Sequence, residues 1–380
     1  MSDAPATSRG VKLTDQQRLD WLRLYRSENV GPATFRDLIN FCGGAAAALE
    51  QLPDIAARGH GGKRIRIATE DSARDELERL DEIGGRIVCL GEADYPDALR
   101  QCEGAPQILS VIGSTDTLQQ KSVAFVGSRN ASLSGIKLTQ NLADEVGRSG
   151  YTIVSGLARG IDTAAHKASL GTGTVAVFAG GVDHIYPFEN KELAKSILEN
   201  DGSLISEMPL GWQPRAQDFP RRNRIVAGLA LGTVVVEAAR RSGSLITARL
   251  ANEQGRLVFA VPGSPLDPRS EGTNHLIREG ATLVTSASDI VSGVAPLVAD
   301  KAQTPYSLDE NERDEAEFSF NEPEHDARQR IVASLSRTPT DLDELIRFTQ
   351  LPAATVHIVI LELDLAGRLE RHSGNKVSLI

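Results

Sequence analysis

The feature that most constrains this chain is a rhythm. Short runs of β-branched and other apolar residues recur, and nearly every one is followed by a helix-like segment. Val123–Gly127 (VAFVG) precedes IKLTQNLADEVGRSG, Tyr151–Gly156 (YTIVSG) precedes IDTAAHKASL, and Thr174–Gly181 (TVAVFAGG) precedes NKELAKSILENDG. Thr233–Ala239 (TVVVEAA) precedes SLITARLANEQG, and Arg256–Gly263 (RLVFAVPG) precedes NHLIREGA. Ser203–Glu207 (SLISE) leads instead into an arginine-rich stretch. A continuous apolar run can leave neither face to water, so such strands need cover on both sides. That is the situation of a parallel sheet between two layers of helix. The expected core is therefore α/β, a Rossmann-like doubly wound parallel sheet. RIVCL (Arg86–Leu90) and ILSVIG (Ile108–Gly113) read as two further strands.

The flanks read differently. Residues 1–80 carry helical spacing, as in DQQRLDWLRLYR, followed by ENVGPATFRDLINFCG. A Gly31 turn between two helical patterns suggests a helix-hairpin-helix. Such a turn either offers N–H groups to a phosphate or simply folds a small helical bundle. Residues 81–297 hold the alternating core. Residues 298–326 are poor in aliphatic side chains and rich in acids, the composition of a flexible linker. Residues 327–380 read as three helices and a hairpin around Ser373-Gly374-Asn375, the plan of a winged helix.

Charge has to be read by segment. The formal net charge is -10, but Asp300–Asp326 holds ten acids and two bases, leaving only -2 for the rest. From Lys121 to Ser292 bases outnumber acids, 18 to 16, and Arg215–Arg249 has seven arginines against Asp218 and Glu237. A polyanionic partner is compatible with that distribution. Cys42, Cys89 and Cys102 form no CxxC and have no His cluster nearby, which predicts a reducing cytoplasm and no metal site. No apolar run reaches the ~18 residues of a membrane span, and the polar start lacks a leader pattern.

In a parallel sheet, ligands gather beyond the carboxyl ends of the strands. Those ends here are Gly127-Ser128-Arg129-Asn130, Ser155-Gly156-Leu157-Ala158-Arg159-Gly160 and Gly180-Gly181-Val182-Asp183-His184. Two more are the stretch FPRRNR (Phe219–Arg224) and Glu237-Ala238-Ala239-Arg240-Arg241-Ser242-Gly243-Ser244. Glycine lets backbone approach a ligand, and the arginine fork suits phosphate oxygens. Arg129, Arg159, Arg221, Arg222, Arg224, Arg240 and Arg241 are expected to converge on this edge, with some of them paired to Asp162, Glu207 or Glu237. Glu237 is expected to be such an arginine partner rather than a catalytic base. Phe219 is either core or, if exposed beside arginines, a platform for a nucleobase. His166 reads as structural, and Asp183-His184 as loop-forming. No GxGxxG follows the first strand, and GxxxxGK[ST] and HExxH are absent. Nicotinamide, flavin, P-loop and zinc-hydrolase chemistry are therefore not indicated, and no cofactor is expected.

Together, GSR (127–129), SGLARGIDTAAH (155–166), AGGVDHIYP (179–187), FPRRNRIVAGL (219–229), EAARRSGSLITA (237–248), VPG (261–263) and GTNHLIREGA (272–281) resemble the DprA/Smf family. The match runs in order through the whole central region. The resemblance implies a non-enzymatic protein that binds single-stranded DNA, protects incoming strands in natural transformation and loads a RecA-type recombinase. It also implies a SAM- or helix-hairpin-helix-like first region and a DML1-like winged helix. On that analogy Arg129 clamps a backbone phosphate, with Gly127, Ser128 and Gly156 close to the strand. Phe219 meets a base, and Arg159, Arg221, Arg222, Asn223, Arg224, Arg240 and Ser244 complete the site. Some members carry a DNA-binding lysine three residues before the phenylalanine. Here that position is Ala216, and the neighbouring Arg215 is the substitute on offer. The resemblance further implies a homodimer, with Leu276 and Ile277 as interface candidates.

Two other classes remain open at this level. One is a Rossmann-like nucleotide-phosphate hydrolase related to phosphoribohydrolases, although their PGGxGTxxE loop is replaced by SGSLITA. The other is a double-strand regulator acting through the winged helix, whose seven basic residues face six acids from Asp341 onward. The acidic linker, finally, is expected to compete with DNA for the arginine groove.

Overall fold

The computed structural model describes residues 12–60, 65–299, 323–372 and 374–380. The expected linker therefore lies, over 300–322, outside the described residues, as does Ser373 of the hairpin. Contacts divide the chain into two compact units.

The first unit contains a nine-stranded sheet. Its strands are β1 (Gly85–Cys89), β2 (Ile108–Gly113), β3 (Ser122–Val126), β4 (Thr152–Ser155), β5 (Thr174–Val177), β6 (Ser203–Ser206), β7 (Gly232–Val235), β8 (Leu257–Ala260) and β9 (Thr282–Leu283). Their order is β1-β2-β6-β5-β4-β3-β7-β8-β9. Every residue of β3 to β7 is buried, as continuous apolar runs require. The strands from β3 to β9 pair in parallel. β2 joins β6 antiparallel, and β1 joins β2 the same way. β9 escapes sequence reading because two residues carry no period.

The chain steps from β3 outward to β6, then returns to place β7 on the other side of β3. That reversal opens a crevice at the strands' carboxyl ends. One face of the sheet is packed by helices Leu133–Arg148, Ile161–Ala168 and Ala287–Ala299, through Leu142, Val146, Ile161, Ile290 and Val294 against Phe125, Val234 and Phe259. Helix Asp218–Leu229 lies against β3, β4 and β5 and turns Ile225 and Val226 inward.

The second unit joins sequence-distant segments. Helix Asp15–Arg26 starts with a capping box between Thr14 and Gln17. Its Trp21 and Tyr25 meet Phe35 of helix Pro32–Cys42, at ring separations of 4.9 and 5.8 Å. The tail supplies helices His325–Ser334, Leu342–Thr349 and Ala353–Leu365, with a three-stranded sheet of Thr340–Asp341, Lys376–Leu379 and Leu369–His372. This is the expected winged-helix plan.

In helix Ala353–Leu365, Val356, Val359, Ile360, Leu361, Leu363 and Leu365 are all buried, a spread wider than one helical face and the pattern of a helix with neighbours on several sides. Val356, Val359, Ile360 and Leu363 fill the tail's own core. Helix Ala45–His60 packs on the same helix, so closely that a Cβ on Gly59 would overlap the Glu362 carbonyl. Polar contacts pin this junction. The Thr34 hydroxyl donates to Asp364 at 2.8 Å, the Asn29 amide to the Leu365 carbonyl at 2.8 Å, and Arg371 to both Asp37 and Asp364 at 2.7 Å. Thr34, beside the hairpin turn that was one option for phosphate binding, is therefore buried in a helix–helix junction.

Candidate nucleic-acid interface

The recess at the strand ends is built from the inside outward. Arg222, on helix Asp218–Leu229, is only 7% exposed. Its Nη1 donates to the carbonyls of Gly156, just beyond β4, and Val177, at the end of β5, at 2.5 and 2.6 Å. A Cβ at Gly156 would overlap this guanidinium, so a side chain there would displace it. The opposite charge is Asp162, whose carboxylate accepts from the backbone N–H groups of Gly156 and Ala158 at 3.1 and 3.3 Å.

Burial pulls the Arg222 pKa down to about 10; Asp162 opposes that shift and Arg129 adds to it. Burial raises the Asp162 carboxyl, against the pull of Arg222 and of its backbone donors. Through these backbone bonds the two buried charges fix the floor of the recess. Behind it, His166 is fully enclosed, with Nδ1 2.7 Å from the Thr174 hydroxyl. Burial first, and Arg222 second, push its pKa down to about 3, so it is a neutral structural group, as expected.

On this floor stands a recess of about 200 Å³ lined by Arg129, Gly156, Arg159, Phe219 and Arg222 of the anticipated set. Asn130, Ala158, Tyr186 and Pro187 complete it. Arg129 is exposed and has no carboxylate partner among the described residues. Its guanidinium carbon lies 5.3 Å from the centre of the Phe219 ring. Tyr186 meets the same ring edge-on at 5.6 Å. Phe219 is thus half-buried, with a cation and a second aromatic beside it, rather than lost in the core.

The remaining anticipated residues do not line the recess. Gly127 packs on Ile161, and the Ser128 hydroxyl accepts from Asn130 N–H to shape the turn that carries Arg129. Arg221 and Arg224 both pair with buried Glu207, and Arg224 also donates to the Gly104 carbonyl at 2.6 Å. Both anchor the helix to the end of β6; Arg224 is turned inward, whereas Arg221 stays exposed beside its ion pair. Asn223 accepts from Arg222 Nε at 3.2 Å. Ser244 is buried, and its hydroxyl pairs with Ser242 at a helix start. Arg215 is exposed, stacked 4.7 Å over Trp212. Arg240 and Arg241 are exposed beyond β7. Leu276 and Ile277 are half-buried on helix Glu271–Arg278.

One expectation is corrected. Glu237 makes no ion pair with an arginine among the described residues, although it acts on Arg269 through its charge. It accepts from the backbone N–H of Ser132 at 2.9 Å and from the Ser132 hydroxyl, which holds the start of helix Leu133–Arg148. An acid is favourable at a helix N-terminus because the free N–H groups there are electropositive. Asp183 is loop-forming as read, with both oxygens accepting from Gly211 N–H at 2.9 Å.

Sequence reading missed two contributors. Tyr186 sits in a connecting loop, where no periodicity marks it. Asn190 is buried and donates to the carbonyls of Leu157 and Ala158, which fixes the loop carrying Arg159. The one available signal was the aromatic at Tyr186 in a chain with 4% aromatics.

Comparison with known proteins follows the same plan. The family pattern described as DNA recombination-mediator protein A matches residues 86–295. Those of a DprA-like N-terminal HHH domain and a DprA winged helix domain match residues 15–78 and 320–375. Protein Smf of Escherichia coli is 40% identical over 314 residues, covering 81% of each chain. DNA processing protein DprA of Streptococcus pneumoniae is 48% identical over 204 residues, covering 52% of this chain and 70% of its own. An X-ray structure of the pneumococcal protein covers 74% of this chain and 93% of its own, with 38% identity and a TM-score of 0.57.

Proposed function

This chain belongs to the DprA/Smf family of DNA recombination-mediator proteins, and from that premise we propose that it holds single-stranded DNA along the carboxyl ends of β3, β4 and β5. The observation that carries the reading is Arg129, an exposed guanidinium without a carboxylate, poised over Phe219 at the mouth of the recess. A phosphate supplies the missing counter-charge. Phe219 and Tyr186 supply π-faces, which accept any base and so favour a sequence-tolerant strand whose bases are free to splay. Arg222 shapes the floor, Arg159 adds a cation to the lining, and Arg215 and Arg240 are outlying cations along the path.

The partners of this reading are a RecA-type recombinase, which receives the strand, and a second copy of the chain. Dimerisation through Leu276 and Ile277 is supported by their partial exposure near the edge strand β9, whose two residues are both exposed. Cys42, Cys89 and Cys102 form no disulfide, which suits a reducing cytoplasm, and among the described residues no helix is long and apolar enough to cross a membrane. A hydrolase reading is disfavoured because Glu237, the carboxylate at the strand end, is committed to Ser132.

Fluorescence anisotropy with single- and double-stranded oligonucleotides across a salt series tests this. The expected result is a preference for the single strand, with a slope of about -0.7 per neutralised phosphate on log–log axes. Equal affinity for both forms would count against the recess.

A further inference from the structure

We infer that Phe188 is a second base-stacking position, one step along the strand path from the Phe219 recess. This rests on the single-strand reading above and extends it. Among the described residues only three aromatic side chains are prominent on the surface: Tyr186, Phe188 and Phe348. Two of them belong to one short segment at the rim of the recess. Tyr186 lines the recess itself. Phe188 follows two residues later and is 75% exposed.

The segment is firmly held. Phe188 opens a 3-10 turn ending at Asn190. Asn190 is buried and ties the turn to the Leu157 and Ala158 carbonyls and the Thr163 hydroxyl. A rigid backbone presenting an exposed Phe spends little entropy when a ligand covers the ring. Three successive Cα atoms span at most about 7 Å, so Phe188 lies within a short reach of Tyr186.

Two cations stand close to Phe188, with Glu189 and Glu192 on the same segment. The Lys191 ammonium lies 5.9 Å from the Phe188 ring centre. Arg159, which lines the recess, pairs with Glu189 of the same turn. Both members of that pair are about 60% exposed, so water screens it and a phosphate can exchange for Glu189 at small cost. Cations and aromatics thus alternate along the rim: Arg129 with Phe219, Tyr186, Arg159, then Phe188 with Lys191. That alternation matches a strand of phosphates and bases. A protein partner would call for contiguous apolar area around the aromatic instead.

The test is anisotropy with a length series of single-stranded oligonucleotides carrying 2-aminopurine, on the full chain. Wild type, Phe188→Ala, Phe188→Trp and Arg129→Ala are compared. Because Phe188 is exposed, its variants should keep the wild-type thermal midpoint. Phe188→Ala is expected to weaken binding roughly 5- to 100-fold, the range for losing one base–aromatic stack, and only for oligonucleotides long enough to extend past the recess. Phe188→Trp is expected to retain affinity and to quench the 2-aminopurine placed beyond the recess. If Phe188→Ala binds every length like wild type while Arg129→Ala has lost binding, the second position is refuted and the recess stands. If Arg129→Ala also binds like wild type, the strand reading itself has failed.

Discussion

Two parts of this molecule have the plan of a DNA-binding element, and they use it in opposite ways. At the ends of β3 to β5, the buried charges Arg222 and Asp162 are bonded to the backbone, and the guanidinium of Arg129 stands exposed without an ion pair among the described residues. In the tail, helix Ala353–Leu365 is the second helix of a helix-turn-helix, the one that would enter a major groove. It carries no Lys or Arg, has Glu362 and Asp364 as its only charges, and is packed on by helix Ala45–His60. Fold alone would assign DNA to both. On the reading proposed above, charge and burial favour the first as the strand site, and the second is a structural clasp between distant segments of the chain.

The strongest way to break this contrast is to disturb the buried charge under the recess. Arg222→Met leaves the Gly156 and Val177 carbonyls without their donor and removes the cation that Asp162 senses, and should cost about 2–5 kcal/mol of unfolding free energy. Urea denaturation monitored on the α/β unit checks it. A loss within ~0.5 kcal/mol would mean that Arg222 does not hold the floor.

Arg129→Ala asks the complementary question, because the side chain is exposed and makes no ion pair. Affinity for single strands should fall by about 1.5–3 kcal/mol, the value of a hydrogen bond to a charged group, with an unchanged thermal midpoint. The log–log salt slope should become shallower by about 0.7.

Acid offers a third probe. His166 is neutral in the folded unit, with a pKa pushed down to about 3 from 6.5. The unfolded chain takes up its proton first as pH falls, so its contribution to stability is present above about pH 6.5 and is lost progressively towards pH 3. The slope is about 1.4 kcal/mol per pH unit. His166→Gln should flatten that part of the stability profile, measured by urea midpoints from pH 7 to 4.

The smallest effect is expected on the clasp side. Arg371→Ala removes pairs to Asp37 and Asp364 that are partly open to water, and should cost about 1 kcal/mol of stability in that unit. Single-strand affinity should stay at the wild-type value. A large loss of affinity would return the tail to the binding surface.

What the sequence made legible follows from which physics is local. The strands β3 to β8 are readable because burial on both faces forces continuous apolar runs, and of the seven arginines after them Arg129, Arg159 and Arg222 line the recess. Glu237 differs from the reading because its partner is Ser132, through both amide and hydroxyl, 105 residues away in sequence, which no local pattern reveals. Tyr186 and Asn190 act from a loop, where no period exists to show direction. The union of the first helices with the tail depends on contacts such as Arg371 with Asp37, separated by 334 residues. Only one local hint existed, the run VHIVILELDL, which is too apolar all round for a helix with one covered face.

The most direct test of the account is amide hydrogen exchange of the full chain with and without a saturating single-stranded oligonucleotide. The account predicts protection at 127–130, 156–160, 186–191 and 215–222, with no change across 353–365. Protection that appears on 353–365 and leaves 127–130 untouched would contradict it.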